Sequence, residues 1–401
     1  MSEELVQKEG IKRRKVAWIV IGILFFLLVA ATVLWLVDNR RYKRTNDAYV
    51  EGNQIVINPL QDGFVTSVHS EDTYLVKKNQ LLVTLDETNY IIAFNEAKEN
   101  YANAVREVCK IFHQAFAYAS DIEVKRAEYI KAQEYYNHRM DVVDEGAVSL
   151  EDFQDWESAL EATYYAYLEA KSLYQKENSL IQGKSIKSNP LVLSAADKLT
   201  QAWVNLYRCN VYAPNEGLVA QRNAQVGMWV SSNDPLMTII PLNQIWINAN
   251  FKETQMRHIK IGQTVKIHAD MYGTGVTYRG VIVGLPGGAG NAFSILPPQN
   301  LSGNWIKIVQ RLPVRIVVDP EDLIKHPLRI GMTMRAHVDI RSKNEGYIPT
   351  KNNLAPLYIT DIYKEETYGS DSLVKEIFYE NIDPTLVDYA DMPYYPDTLL
   401  E

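Results

Sequence analysis

The chain has 401 residues, 47% hydrophobic and 22% charged, with a formal net charge of −8. This is ordinary globular usage, which excludes wholesale disorder and collagen, and the length permits two or three domains. Basic and acidic residues number 41 and 49, so there is no electrostatic footprint for a nucleic-acid partner, and two cysteines cannot build a disulfide framework or a CxxC motif.

Residues 1–15 form a short basic N-terminus, followed by an uncharged run from Val16 to Val37. As a helix that run is about 33 Å long, against roughly 30 Å of bilayer hydrocarbon. A cleaved signal peptide has a shorter apolar core, and Asp38-Asn39-Arg40-Arg41 is a poor cleavage context, so residues 16–37 are expected to be a transmembrane helix. No second stretch of comparable length follows, which excludes a polytopic membrane protein. Basic residues flank both ends. Long downstream domains translocate largely regardless of charge, so the short N-terminus is expected in the cytoplasm and the bulk of the chain outside it.

A split internal repeat comes next. Residues 57–85 (INPLQDGFVTSVHSEDTYLVKKNQLLVTL) and 211–239 (VYAPNEGLVAQRNAQVGMWVSSNDPLMTI) align without gaps at an offset of 154. Gly63 meets Gly217, Asp62 meets Glu216, Val76 meets Val230, Asn79 meets Asn233, Leu82 meets Leu236 and Thr84 meets Thr238. Each copy reads as an acidic-Gly turn and short alternating strands. Neither is long enough to bury a core alone, so the halves, 45–86 with an adjoining strand and 209–240, are expected to pair into one β-sandwich. The arrangement resembles the biotinyl/lipoyl domain. No Met-Lys or Asp-Lys-Ala turn joins these halves, so the carrier function of that domain is excluded and no cofactor is expected.

The segment between the halves, 89–208, reads as a helical hairpin. Phe94, Tyr101, Val108, Ala115, Ile122, Tyr129, Tyr136 and Val143 recur every seven residues. Ala97, Ala104, Ile111, Tyr118, Lys125, Ala132 and Arg139 follow three residues behind, a coiled-coil seam with two polar exceptions. A second run carries Phe153, Leu160, Tyr167, Tyr174 and Ile181. Between them, at a tip spanning about 144–149, Gly146 is a helix stop and Ser149 with Asp152 a helix start. Two long helices joined by so short a turn are antiparallel. The return is interrupted from Gly183 to Pro190 and resumes through Leu191, Ala195, Leu199, Ala202, Trp203 and Leu206 on one face. Cys209 falls at the base and Cys109 about 30 Å up the first helix, so they cannot bridge. The many hairpin tyrosines suit contacts with one apolar and one wet side, within a hairpin or between protomers.

Residues 241–340 turn to short β-branched strands at Ile245–Phe251, Val265–Ala269, Gly280–Leu285, Val314–Val318 and Thr333–Ile340, consistent with a small barrel plus a second mixed β region near the membrane. Residues 341–401 hold five Lys/Arg and twelve Asp/Glu, a net −7 that leaves −1 for the rest of the chain. With much Pro, Asp and Tyr, this tail is expected to be solvated and poorly ordered.

Anchor, split lipoyl-like unit, helical hairpin and β-barrel, a multi-domain α+β plan, resembles the periplasmic adaptor (membrane fusion) proteins of the HlyD/EmrA family, and within them the EmrA type of multidrug-export adaptor. The match rests on Thr45-Asn46-Asp47-Ala48-Tyr49-Val50, on Ala249 through Phe251-Lys252-Glu253-Thr254-Gln255, on Ala292 to Pro297, on Gly303 to Ile316 and on Pro327 to Gly331, and spans about residues 11–340. The resemblance implies an inner-membrane protein with its bulk in a Gram-negative periplasm. It implies rings in multiples of three, trimer or hexamer, linking a major-facilitator drug:proton antiporter to a TolC-like outer-membrane channel. Phe251 to Gln255 are then expected near the transporter. The family's tip pattern of Arg, Leu and Ser is only partly kept: counting back from Ser149 puts Val142 in the Leu position and His138 in the Arg position, with Arg139 next door. His138, Arg139, Val142, Val143, Gly146, Ala147, Val148 and Ser149 are accordingly the expected channel contact, and Gly63 and Gly217 the turn glycines of the lipoyl-like halves. A type I secretion adaptor served by an ABC transporter, and a coiled-coil scaffold without transport role, are the alternatives.

Catalytic signatures are missing. None of the seven histidines has the i, i+4 spacing of a zinc helix, the glycines at 287, 288 and 290 precede no GK[ST], and no GxSxG is present. Neither an active site nor a metal is expected.

Overall fold

The computed structural model describes residues 18–33, 41–143, 149–289, 309–349 and 355–395. Helix α1 covers 18–33, the described part of the expected span, with all its side chains exposed except half-buried Ala30; among the described residues no helix is long and apolar enough to cross a membrane. The remainder of 16–37 lies outside the described residues.

Strands β1 (Tyr42–Gly52), β2 (Ile55–Ile57), β3 (Gly63–Val68), β4 (Leu75–Val76) and β5 (Leu81–Leu85) precede the helices. These are α2 (Thr88–Val143), α3 (Leu150–Ile181) and α4 (Pro190–Tyr207). Then come β6 (Asn210–Tyr212), β7 (Gly217–Ala220), β8 (Trp229–Val230), β9 (Met237–Ile240) and β10 (Ile245–Lys252). The chain continues through α5 (Glu253–Met256), β11 (Thr264–Ala269), β12 (Tyr278–Gly284), β13 (Arg311–Val318), α6 (Pro320–Lys325), β14 (Thr333–Asp339) and α7 (Ser370–Asn381).

The repeat halves exchange strands. One four-stranded sheet runs β2-β9-β7-β4 and the other β6-β5-β3-β8, so each sheet takes two strands from each half. Gly63 pairs with Val230 and Gly217 with Val76, contacts that interconvert on adding 154 to the first half. The same pseudo-twofold relates Thr73 and Gly227, both left-handed. Val65 and Val219, Val76 and Val230, and Leu82 and Leu236 supply the core as equivalent buried pairs. Sealing one half's core needs the other half, which is why a repeat interrupted by the hairpin still closes into one domain.

Helix α2 has 56 residues, about 84 Å at 1.5 Å per residue, and α3 returns antiparallel along it. Seam residues Tyr101, Val108, Ala115 and Ile122 are buried, while toward the tip Tyr129 stacks on Tyr167 and Tyr136 packs on Phe153. The expected break is present: α3 ends at Ile181, and Asn189 caps α4 by accepting from the Leu191 amide, with Pro190 in the first turn where a missing N–H costs nothing.

Two expectations are corrected. First, the β residues of 241–340 form no second β region among the described residues. β10 to β14 close with β1 into a six-stranded antiparallel barrel in the order β1-β10-β13-β12-β11-β14. β1, expected only as a strand adjoining the first lipoyl-like half, is thus a barrel stave, held between β10 and β14 because its alternating Ala48 and Val50 complete the barrel core. Second, the acidic tail is not poorly ordered over 355–395. It folds into a 3-10 turn at Ile362–Thr367, then α7, then a 3-10 turn at Pro384–Tyr389, and buries Ile377, Phe378, Leu386 and Tyr394 against the hairpin base. Four of its carboxylates have partners: buried Glu366 pairs with Arg208, and at the surface Asp361 pairs with Lys78, Asp383 with His113 and Asp391 with Lys187.

Candidate functional site

Three sequence blocks that are far apart in the chain meet at one end of the barrel. The β1–β10 ladder sets Ala48 against Ala249, and the β10–β13 ladder sets Lys252 against Arg311. Thr45 donates its hydroxyl to the Asn250 carbonyl at 2.8 Å. Asn250 in turn donates to Asp47 at 3.0 Å, and the Asp47 carboxylate pairs with Arg311 at 3.1 Å. At the end of β10, Gln255 bends back: its carbonyl accepts from the Lys252 amide and its amide donates to the Arg44 carbonyl at 3.2 Å. Residues 252–255 therefore sit at the end of the barrel where β1 begins, a few residues after the apolar helix. Arg41 closes the same region, its guanidinium 2.8 Å from Asp339 at the end of β14 and holding that carboxyl below its ordinary pKa.

The expected transporter-proximal residues divide by environment. Phe251 points into the barrel and is fully buried, so its part is packing, whereas Lys252, Glu253 and Thr254 are exposed. Sequence reading missed a contact on the outer wall: the Arg315 guanidinium lies 3.8 Å from the centre of the Trp246 ring, joining β13 to β10. The signal available was an Arg and a Trp in two strands of the same expected sheet, and register decides whether such residues meet.

At the far end of the hairpin, Ser149 caps α3. Its hydroxyl accepts from the Asp152 amide at 3.1 Å and donates to the Asp152 carboxylate at 2.7 Å. His138 is exposed on the last turns of α2. Arg139 is half-buried, its guanidinium 4.4 Å from the Trp156 ring centre and 5.1 Å from that of Tyr135, which ties the two helices together near the tip. Val142 and Val143 belong to the final turn of α2, while Gly146, Ala147 and Val148 lie outside the described residues. The two lipoyl-like glycines differ in surroundings. A Cβ on Gly217 would stand 2.6 Å from the Ile240 carbonyl oxygen, whereas one on Gly63 would meet nothing closer than Leu85 Cβ at 3.7 Å.

Nucleophile chemistry finds no support in the cysteines. Both are free and buried; burial raises the pKa of the Cys109 thiol and pushes that of Cys209 up to about 12, which keeps them as inert thiols. Among the described residues no group of three or more His, Cys, Asp or Glu side chains is placed to hold a metal ion.

The EMRA alpha-helical hairpin domain family matches residues 88–209, which begin at the first turn of α2 and end just before β6. Over most of the chain the sequence is 36% identical to the multidrug export protein EmrA of Haemophilus influenzae, through 369 residues covering 92% of this chain and 95% of that protein. The chain belongs to the EmrA-type membrane fusion proteins. Two Escherichia coli relatives of this family agree: the probable multidrug resistance protein EmrK is 39% identical over 342 residues, 85% of this chain and 88% of that one, and EmrA is 36% identical over 353 residues, 88% and 90%. These EmrA-family matches extend well beyond the hairpin domain, so they take in sandwich and barrel as well.

Proposed function

We propose that this chain is the periplasmic adaptor subunit of a tripartite multidrug efflux system. The apolar segment of residues 16–37 anchors it in the inner membrane, with the N-terminus cytoplasmic and everything after it in the periplasm. The barrel end bearing Lys252, Glu253 and Thr254 faces a major-facilitator drug:proton antiporter, and the hairpin tip around Ser149 reaches a TolC-like outer-membrane channel. Copies assemble into a ring, trimer or hexamer. The chain catalyses no reaction; it supplies a connection.

The observation that carries this reading is the convergence at one barrel end. Gln255 is hydrogen-bonded to Arg44, so the exposed residues 252–254 lie close to the start of β1, which supports a position near the bilayer for a chain anchored through residues 16–37. The 84 Å lever is carried by the β-sandwich, a different domain from the barrel. A molecule with one contact at the membrane and another far from it is what linking two membranes requires.

Photocrosslinking in intact cells tests it. A crosslinker at Glu253 should capture a major-facilitator transporter, and one at Ser149 an outer-membrane channel, each identified by mass spectrometry. An ABC transporter captured at Glu253 would move the assignment to polypeptide secretion. Self-crosslinks alone from both positions would leave only a scaffold.

A further inference from the structure

The hairpin joins the sandwich through two short connections, Asp86-Glu87 between β5 and α2 and Arg208-Cys209 between α4 and β6. For a lever about 84 Å long, a rotation of about 5° at the base moves the tip by about 7 Å. Direction at the base therefore decides where the tip arrives. Residues 355–395 lie across this junction and touch both sides of it.

The attachments differ in kind. On the hairpin side most are buried, beside the exposed pairs of His113 with Asp383 and Lys187 with Asp391. Ile377, Phe378 and Leu386 join Tyr101, Val105 and Phe112 in one apolar cluster. Trp203 donates its indole N–H to the Glu366 carbonyl at 3.1 Å, and the buried Glu366 carboxylate takes Arg208 at 2.7 Å. The tail also fills the break between α3 and α4. The amides of Gly183, Ile186 and Lys187 donate to the carbonyls of Tyr394, Tyr389 and Ala390 at 2.7, 3.0 and 3.2 Å, and the Tyr394 amide donates to Lys184 at 3.0 Å. Backbone groups freed by the helix interruption are satisfied by the tail, a bond pattern that is costly to undo. On the sandwich side the hydrogen bonds and ion pairs are few and exposed, beside a cleft that Ile362 and Tyr363 line together with Ile55, Val211 and Pro214. Lys78 pairs with Asp361, Asn79 donates to the Glu365 carboxylate at 3.1 Å, and Thr360 donates to the Pro214 carbonyl at 3.0 Å. Exposed ion pairs of this kind hold weakly.

We propose that residues 355–395 form a strap that fixes the direction of the hairpin relative to the β-sandwich, and that the strap releases at its sandwich end while remaining seated on the hairpin. The strap goes beyond the adaptor reading and is independent of it, because it is a property of the isolated chain.

The test is a distance measurement by pulsed electron paramagnetic resonance on the full chain in detergent, with spin labels on cysteines introduced at Ser172 in α3 and Val226 in the sandwich. The native cysteines are buried and do not compete. The unaltered strap should give one narrow distance distribution. Replacing the strap's side of the sandwich-end contacts together (Thr360→Val, Asp361→Ala, Glu365→Ala) should widen it at least twofold with helix content unchanged, and a chain ending at residue 354 should widen it as much or more. The truncated chain bares Phe112 and Ile186 and could fail to fold, in which case the triple variant decides alone. An unchanged width in the triple variant overturns the proposal whatever the truncated chain does. Failure to capture a transporter would leave this measurement untouched, so the two readings fail separately.

Discussion

Gly63 and Gly217 occupy the same place in the two repeat halves, yet substituting them should have opposite consequences. Each opens a strand that pairs with a valine of the other half, and neither has a positive φ, so alanine is conformationally allowed at both. The difference is space. On Gly217 a Cβ would fall 2.6 Å from the Ile240 carbonyl oxygen, 2.8 Å from its carbon and 2.7 Å from Ile239 Cγ2. Two of these three atoms are backbone of the neighbouring strand β9 and cannot rotate aside. Overpacking of this kind costs about 1–3 kcal/mol, and rigid obstacles put Gly217→Ala in the upper part of that range. On Gly63 the nearest atoms are 3.7 and 3.9 Å away, ordinary contact. Gly63→Ala should therefore be neutral or stabilise by about 0.4–1 kcal/mol through a less flexible unfolded chain. The two variants should differ by about 2–4 kcal/mol. Hydrogen exchange of the β9 amides reads this directly, since each 1.4 kcal/mol is about a tenfold change in the open population. Gly217→Ala should exchange at least tenfold faster than Gly63→Ala. Equal rates would refute the reasoning, because they would mean that β9 yields freely at Gly217.

Two further outcomes are expected. Ser149→Ala removes the α3 cap and should cost about 1 kcal/mol locally, seen as faster exchange of the amides at 150–153 with the barrel unaffected; Ser149→Asp should restore protection. The Asp383 carboxyl is lowered to about 2 by the Thr385 hydroxyl and amide, which donate to it, and by His113 at 3.1 Å. A depressed carboxylate contributes stability in full above its unfolded pKa, near 3.9, and loses it as pH falls through about 2. Limited pepsin digestion of residues 355–395 between about pH 4 and pH 2 should thus accelerate in the natural chain and show a flatter profile in Asp383→Asn; identical profiles would remove Asp383 from the account.

Periodicity decided what the sequence could decide. The heptads of α2 and α3, the cap at Ser149 and the break before Pro190 are local signals, each written in residues within a few turns of one another, and the structure contains all of them. The repeat offset of 154 likewise identified which strands are equivalent, because paired burial of Val65 with Val219 and Val76 with Val230 imposes the same pattern twice. At the candidate site, the blocks around 45–50, 249–255 and 311–316 were legible as blocks. That they share one barrel end was not, because strand order depends on pairings between residues about 200 positions apart for β1 with β10 and about 65 for β10 with β13.

The tail shows the limit most clearly. Its charge count pointed to solvation, and charge counts do not say where the counter-charges are. Two stripes did carry the information. Ala102, Val105, Cys109, Phe112 and Phe116 form a second apolar face on α2, beside the seam, and Leu373, Val374, Ile377 and Phe378 form a matching face on α7. Either stripe alone reads as an oddity of a long helix or of an acidic segment. Amphipathic periodicity determines that a face must be covered; it cannot name the cover, because any apolar face of similar width satisfies the same hydrophobic demand. Only the tertiary structure, by bringing residues 355–395 back to a hairpin base more than 150 residues earlier, decided which faces met.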